Sequence, residues 1–381
     1  MAYFDNAATT YPKPDSVYSF MDEFYRNNGA NAGRGNYDLA KGAKQLIDET
    51  RKLIQKMLHC PSKQVVFTPS ATLALNIILQ GMIHLGVKNI YISPFEHNAV
   101  TRVLHAYEKI SKINVYELSV SADLKYDLER IRYQFDDKKP DMVVISHASN
   151  VIGLVAPITE IFGLAKKYNA FTVADMSQTA GLVDTNVGLS LFDYAVFAGH
   201  KTLYGPTGIS GFVMNPEIKL PPVLFGGTGF ESANQEQPNS LPERFEIGTL
   251  NISGVAGLNA ALKWSAELGI QAIADKESAN RERLLSILGD YDWIKIVGDE
   301  AGNEYVGIVS CLIEGISSDS VEVLFSERGI AVRTGLQCAP LAHKFMKTYP
   351  SGTVRFSVCY FTSEDDFMVL KDALDDIEEE M

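Results

Sequence analysis

Residues 194–208 read YAVFAGHKTLYGPTG. Tyr194 to Ala198 are apolar throughout, which predicts a short strand buried on both faces, and Gly199, Gly205, Pro206 and Gly208 interrupt whatever follows. Lys201 stands in that interruption. Outward from this stretch the same kind of run recurs: QVVFT (64–68), NIYIS (89–93), NVYELSV (114–120), DMVVIS (141–146), FTVAD (171–175) and GISGFVM (208–214), with helical stretches between most of them. Strands alternating with helices predict an α/β fold with a mainly parallel seven-stranded sheet. Ligand sites in such sheets lie where loops leave the carboxyl ends of the strands, so chemistry is expected just after these runs.

A chain of 381 residues exceeds what one core normally organises. After a polar stretch rich in Pro, Asn and Gly at 226–250, a helical segment near 253–268 leads into a region of different content. It holds the strands GIVSCLIEG (307–315), IAVRTG (330–335) and TVRFSV (353–358), with helices at 318–328 and 363–380. The expected division is a large domain over 15–255, and a small α+β domain made of 1–14 and 256–381. The last helix opens on a capping-box-like Ser363-Glu-Asp-Asp366, with Phe367, Leu370, Leu374 and Ile377 as its apolar stripe.

Composition narrows the function classes. The net charge of −13 and the absence of a basic stripe interleaved with aromatics speak against a nucleic-acid partner. The opening MAYFDNAATTYPKP lacks a cationic region followed by an apolar stretch, so no signal peptide is expected. The most apolar segment, Ala71 to Leu85, is broken by Asn76, Gln80 and His84, so no membrane span is expected. Cys60, Cys311, Cys338 and Cys359 are far apart with no CxxC pair, which fits a reducing cytoplasm and neither a disulfide framework nor a metal site.

Lys201 follows a buried strand, where desolvation lowers an amine's pKa and suits it to form a Schiff base; a lysine snorkelling from a loop fits the position at least as well when taken alone. Asp175 ends the run FTVAD, where a carboxylate either pairs with a cofactor's ring nitrogen or caps the next helix. The 26 residues between them allow one helix and one strand, so both can face one crevice. Asn150 and His97 follow two further runs, and His97 is either a flat cover for an aromatic cofactor or a loop histidine satisfied by backbone. Ser70, Ala71 and Thr72 mark a strand-to-helix turn, a geometry shared by phosphate cradles and simple N-caps.

With FDNAATTYPKP, EHNAV, HASNVIG, VADMSQTAG, GHKTLYGPTG, RFEIGTLN, VRTGLQCAP and VRFSVCYFT in this order, the chain resembles the class V aminotransferase group of fold type I pyridoxal-5′-phosphate enzymes. Within that group it is most similar to the cysteine desulfurases and selenocysteine lyases with a short cysteine loop. The resemblance implies that pyridoxal 5′-phosphate is held on Lys201, with Asp175 at the ring nitrogen, His97 on the ring face, and Asn150 and Gln178 around the ring hydroxyl. It assigns Ala71, Thr72 and His200 to the phosphate, joined by Thr228 from a second subunit, and so implies a homodimer. Arg355, together with Asn150, matches the binder of the substrate carboxylate, and Cys338 the nucleophile. Cys338 lies in a loop-like segment between Gly335 and Pro340, whereas Cys311 and Cys359 fall in expected strands.

The implied reaction converts L-cysteine to L-alanine and leaves sulfur on Cys338 as a persulfide for an acceptor thiol or protein. Selenocysteine lyase or another class V activity is the alternative, and a non-catalytic binding homologue the reading from a different class. Ala198 stands where these enzymes commonly have a phosphate-binding serine, Leu73 where an acid is usual, and Leu336 and Gln337 where paired histidines often precede the cysteine.

Overall fold

The computed structural model describes residues 1–32, 35, 37–111, 113–229 and 233–380. All seven runs form one sheet: β2 (Gln64–Thr68), β3 (Asn89–Ile92), β4 (Asn114–Glu117), β5 (Met142–Ser146), β6 (Phe171–Asp175), β7 (Tyr194–Ala198) and β8 (Ser210–Met214), in the spatial order β2-β8-β7-β6-β5-β3-β4. β8 runs antiparallel to both its neighbours, and the remaining pairs are parallel.

Successive residues of a strand point to opposite faces. Here both faces are apolar. Val65, Phe67, Val143, Ile145, Ala195 and Phe197 pack on one side against the helices Asp38–Met57, Leu128–Asp137, Ile158–Lys166 and Ile252–Leu268. Val66, Met142, Val144, Tyr194, Val196 and Phe212 pack on the other against Ala71–His84 and Asn98–Ser111. The unbroken apolar runs in the sequence are the signature of this sandwiching. β4, the short edge strand, is its exception: Asn114 and Glu117 are exposed, which blunts an edge otherwise open to further pairing.

A second sheet is antiparallel, in the order β12 (Arg333–Gly335), β13 (Thr353–Ser357), β10 (Ile308–Ile313) and β9 (Ile294–Val297). The run IAVRTG is therefore two strands and not one. Its first half, β11 (Ile330–Ala331), pairs in parallel with β1 (Ala2–Tyr3), and its second half joins the four-stranded sheet. Cys311 lies in β10, but Cys359 lies two residues past β13. The last helix, Glu364–Glu380, buries its predicted stripe of Phe367, Leu370, Leu374 and Ile377. The capping box at its start is reciprocal: Ser363 N donates to Asp366 Oδ2 at 2.9 Å, and Asp366 N to Ser363 Oγ at 3.3 Å.

The N-terminal segment ties this sheet to the lysine loop. Ser357 N donates to Phe4 O, and Ala7 N to Ser357 Oγ. A few residues on, Thr10 N, Thr9 Oγ1 and Lys13 Nζ all donate to His200 O, and Thr10 Oγ1 donates to Lys201 O. Among the described residues no helix is long and apolar enough to cross a membrane, and no group of three or more His, Cys, Asp or Glu side chains is placed to hold a metal.

Candidate active site

The parallel strands aim their carboxyl ends at one edge of the sheet, and the loops leaving that edge enclose a cavity of about 210 Å3 of water-accessible space. Ala71, Thr72, His97, Asn150, Asp175, Gln178, His200 and Lys201, eight of the residues singled out in the sequence, all line it, together with Ser146, Ser177 and Ala198.

Asp175 ends β6 beside Ser146 of β5 and Val196 of β7, so strand register alone brings it level with its neighbours' ends. Its Oδ1 accepts from Ser177 N at 3.0 Å and from Ser177 Oγ at 2.5 Å, so a residue two positions past the strand fixes the carboxylate at the strand's end. Lys201 also faces the cavity. Burial pushes its amine down to about 8, against the opposing pull of Asp175. The ring of His97 accepts from Ala99 N at its Nδ1, 3.0 Å away. Burial, then the nearby Lys201 charge, hold its pKa below the usual value, so it is neutral at pH 7.

The phosphate-type cradle is built from two strand-to-loop turns, after β2 and after β7. Ser70 caps the helix Ala71–His84 by accepting from Leu73 N, leaving the first helical N–H groups and the Thr72 hydroxyl at the cavity. His200 adds a buried Nδ1 with no partner among the described residues. Burial drives the pKa of that ring down to about 4, so the ring offers a neutral donor or acceptor and no charge. Ala198 presents only a methyl group to the same space. An orphaned ring nitrogen, a helix N-terminus, an amine of lowered pKa and a fixed carboxylate form a donor set that fits pyridoxal phosphate.

Three predicted residues lie outside this cavity. Thr228 lines a separate cleft of about 870 Å3, between the helix Asp38–Met57 and the segment 242–253. Arg355, in β13, is buried; its Nη1 donates to Asn150 O and its Nη2 to Asp5 Oδ1, both at 2.8 Å. Cys338 is the exposed cysteine, the other three being buried.

The loop that carries Cys338 is held on several sides. Gln337 and Cys338 both have positive φ, 38° and 58°, a backbone that ordinary side chains avoid unless the surroundings enforce it. Asn150 Nδ2 donates to Gln337 O at 2.7 Å, and Asn98 N donates to Cys338 O at 2.7 Å. The Gln337 side chain bonds Thr353 O at 2.9 Å and the ring of His343 at 2.8 Å. The residue standing in place of a histidine thus pins the loop to β13 and to the helix Pro340–Phe345, and Asn150 spends its amide on the same loop. The amide of Gln178 likewise donates to Ala7 O, 3.0 Å away.

A family description, Aminotransferase class-V, matches residues 2–370. The chain belongs to the class-V aminotransferase family. Among class-V relatives, the probable cysteine desulfurase of Pyrococcus abyssi is 30% identical over 384 residues, spanning 98% of this chain and 94% of its own. The probable cysteine desulfurase of Xylella fastidiosa strain Temecula1 is 31% identical, spanning 96% and 88%. Among solved structures, the cysteine desulfurase of Thermococcus onnurineus NA1 superposes with a TM-score of 0.91 at 27% identity, covering 100% of this chain and 95% of that one. The Escherichia coli cysteine desulfurase, at 0.87 and 23%, shares the fold.

Three further participants lie inside the motifs quoted above, and their bonding partners emerge only from the structure. Ser177 and Asp5 carry the hydrogen bonds that fix Asp175 and Arg355. Ser177 has a local signal, a hydroxyl two residues after a strand-ending carboxylate. Asp5 has none, because its partner lies 350 residues away. Glu96 is wholly buried beneath the cavity, accepting from Ser93 Oγ, Ser146 N and Ser146 Oγ; burial raises its pKa to about 7 despite those bonds.

Proposed function

We propose that this protein is a pyridoxal-phosphate-dependent cysteine desulfurase that takes sulfur from L-cysteine onto Cys338. The observation that carries the reading is the meeting of Lys201, with its lowered pKa, and Asp175 in one cavity, beside a loop that presents an exposed thiol. Ala71, Thr72 and His200 would hold the phosphate, Asp175 and His97 the ring, and Asn150 and Gln178 its hydroxyl edge. The bound cofactor supplies an electron sink adjacent to the substrate's α-carbon.

The protein's own groups do the rest. An amine whose pKa falls to about 8 is still mostly protonated at physiological pH but keeps a far larger neutral fraction than an ordinary lysine, so Lys201 is available first as a nucleophile and then as the base that takes the Cα proton. Arg355 orients the substrate through its carboxylate. Cys338 Sγ then forms a bond to the substrate sulfur while the Cβ–S bond breaks. The bonding pair stays with carbon, a proton on Cβ completes alanine, and the outer sulfur remains as a persulfide. A thiol acceptor collects it by exchange. The family further supports a homodimer, in which Thr228 reaches the neighbouring site.

The test is borohydride reduction of the cofactor-loaded protein followed by peptide mapping, with alanine release assayed from L-cysteine and L-selenocysteine. A reduced adduct on Lys201 and alanine from L-cysteine are expected. A Lys201→Ala protein that still traps cofactor in the cavity, or a loaded enzyme that releases alanine from L-selenocysteine alone, overturns the reading.

A further inference from the structure

Arg355 has 4% of its side chain exposed, and a guanidinium so deep is costly unless it is paired. Its partners are of two kinds. Nη1 is satisfied by a backbone carbonyl, that of Asn150, which is a permanent feature of the loop. Nη2 meets one oxygen of Asp5, and Nε, on the same edge of the guanidinium, is buried with no partner among the described residues. A carboxylate facing that edge squarely makes two parallel bonds, one to each nitrogen. Asp5 makes one.

Asp5 is also the looser member of the pair. Its side chain is 17% exposed against 4% for Arg355. Its backbone is fixed by the bridge to Ser357 and by Ala8 N donating to its carbonyl, so the carboxylate can turn away without the chain moving. Arg355 interacts electrostatically with both Lys201 and Cys338, and Asn150, whose carbonyl it holds, lines the cavity.

Building on the assignment of Arg355 as the substrate's carboxylate binder, we propose that Asp5 is a resident stand-in for that carboxylate. It neutralises Arg355 while the site is empty and yields it to an α-carboxylate that satisfies both Nη2 and Nε. Asp5 is then a specificity-determining residue. Only a ligand carrying an anion in the right place can release it, and its competition sets part of the substrate's apparent affinity.

The experiment is steady-state kinetics of the cofactor-loaded enzyme with L-cysteine and with L-cysteine methyl ester, which lacks the anion. Asp5→Asn removes the competing charge at constant shape. The KM for L-cysteine is expected to fall roughly tenfold, the worth of one charge-assisted hydrogen bond, while the ester is unaffected, so the acid-to-ester ratio of kcat/KM rises. Asp5→Glu, with a longer arm that reaches Nε as well, is expected to raise the KM, and it decides the matter if the Asn variant does not fold. An unchanged or higher KM in Asp5→Asn, or an unchanged or lower one in Asp5→Glu, overturns the proposal and makes Asp5 a plain support for the arginine. Failure of the underlying assignment looks different: the wild-type acid-to-ester ratio is then near one and does not respond to Arg355→Lys.

Discussion

Arg51, largely enclosed, and Arg355, buried, are each paired with an acid, and the two pairs are built differently. Arg51 meets Glu246 with both terminal nitrogens on both carboxylate oxygens, at 2.8 and 2.7 Å. It also donates to Val65 O and lies over the Phe67 ring, while Glu246 accepts from Phe67 N. That cluster staples the helix Asp38–Met57 to the end of the large sheet. Arg355 meets Asp5 with one bond and keeps a nitrogen unmet. Arg281 and Arg328 also keep a buried Nε without a partner among the described residues, so what sets Arg355 apart is its place: it holds the carbonyl of Asn150, which lines the cavity, whereas the saturated Arg51 pair fixes the fold.

The largest effect is expected from breaking the saturated pair. Glu246→Ala leaves the Arg51 cation buried and uncompensated, at a cost of about 3–5 kcal/mol in unfolding stability. Chemical denaturation reads that loss, and the protein that remains folded is expected to bind pyridoxal phosphate normally. Arg355→Lys at the unsaturated pair should do the reverse. It keeps the charge but loses the fork, so kcat/KM for L-cysteine falls about 100-fold while the denaturation midpoint moves far less than in Glu246→Ala. Similar losses of stability in the two variants would erase the distinction.

Much of this was legible in the sequence. The seven apolar runs announced a sheet buried on both faces, because sandwiching removes the usual alternation. Lys201, Asp175, Asn150 and His97 were readable because each follows a strand, and position after a parallel strand is itself a statement about the crevice. What escaped depends on long-range register: the split of IAVRTG between two sheets, the strand β9, and Asp5 beneath Arg355. No local pattern reports a partner hundreds of residues away. Gln337 was visible only as a departure from a histidine, and its anchoring role emerges from its bonds to Thr353 and His343.

Two smaller effects sharpen the same contrast among the open valences. Burial lowers the Lys201 pKa to about 8. The neutral amine is the reactive form, so the rate of cofactor attachment at saturating pyridoxal phosphate is expected to rise with pH through about 8 and level off above it. A rate still climbing toward pH 10 would mean an ordinary, solvated lysine. Ala198→Ser adds a hydroxyl to the cavity that His200 also lines, and cofactor release during dialysis is expected to slow by roughly threefold to tenfold. An unchanged release rate would place the phosphate elsewhere in the cavity.

The most direct test of the whole account is the fate of Cys338 during turnover. The cofactor-loaded enzyme is given L-cysteine without added thiol, alkylated, digested and weighed by mass spectrometry, with alanine measured in parallel. One alanine per subunit and one additional sulfur on the peptide containing Cys338 are predicted, and Cys338→Ala should produce neither. Unchanged alanine release from Cys338→Ala, or the extra sulfur on Cys60, Cys311 or Cys359, would contradict it.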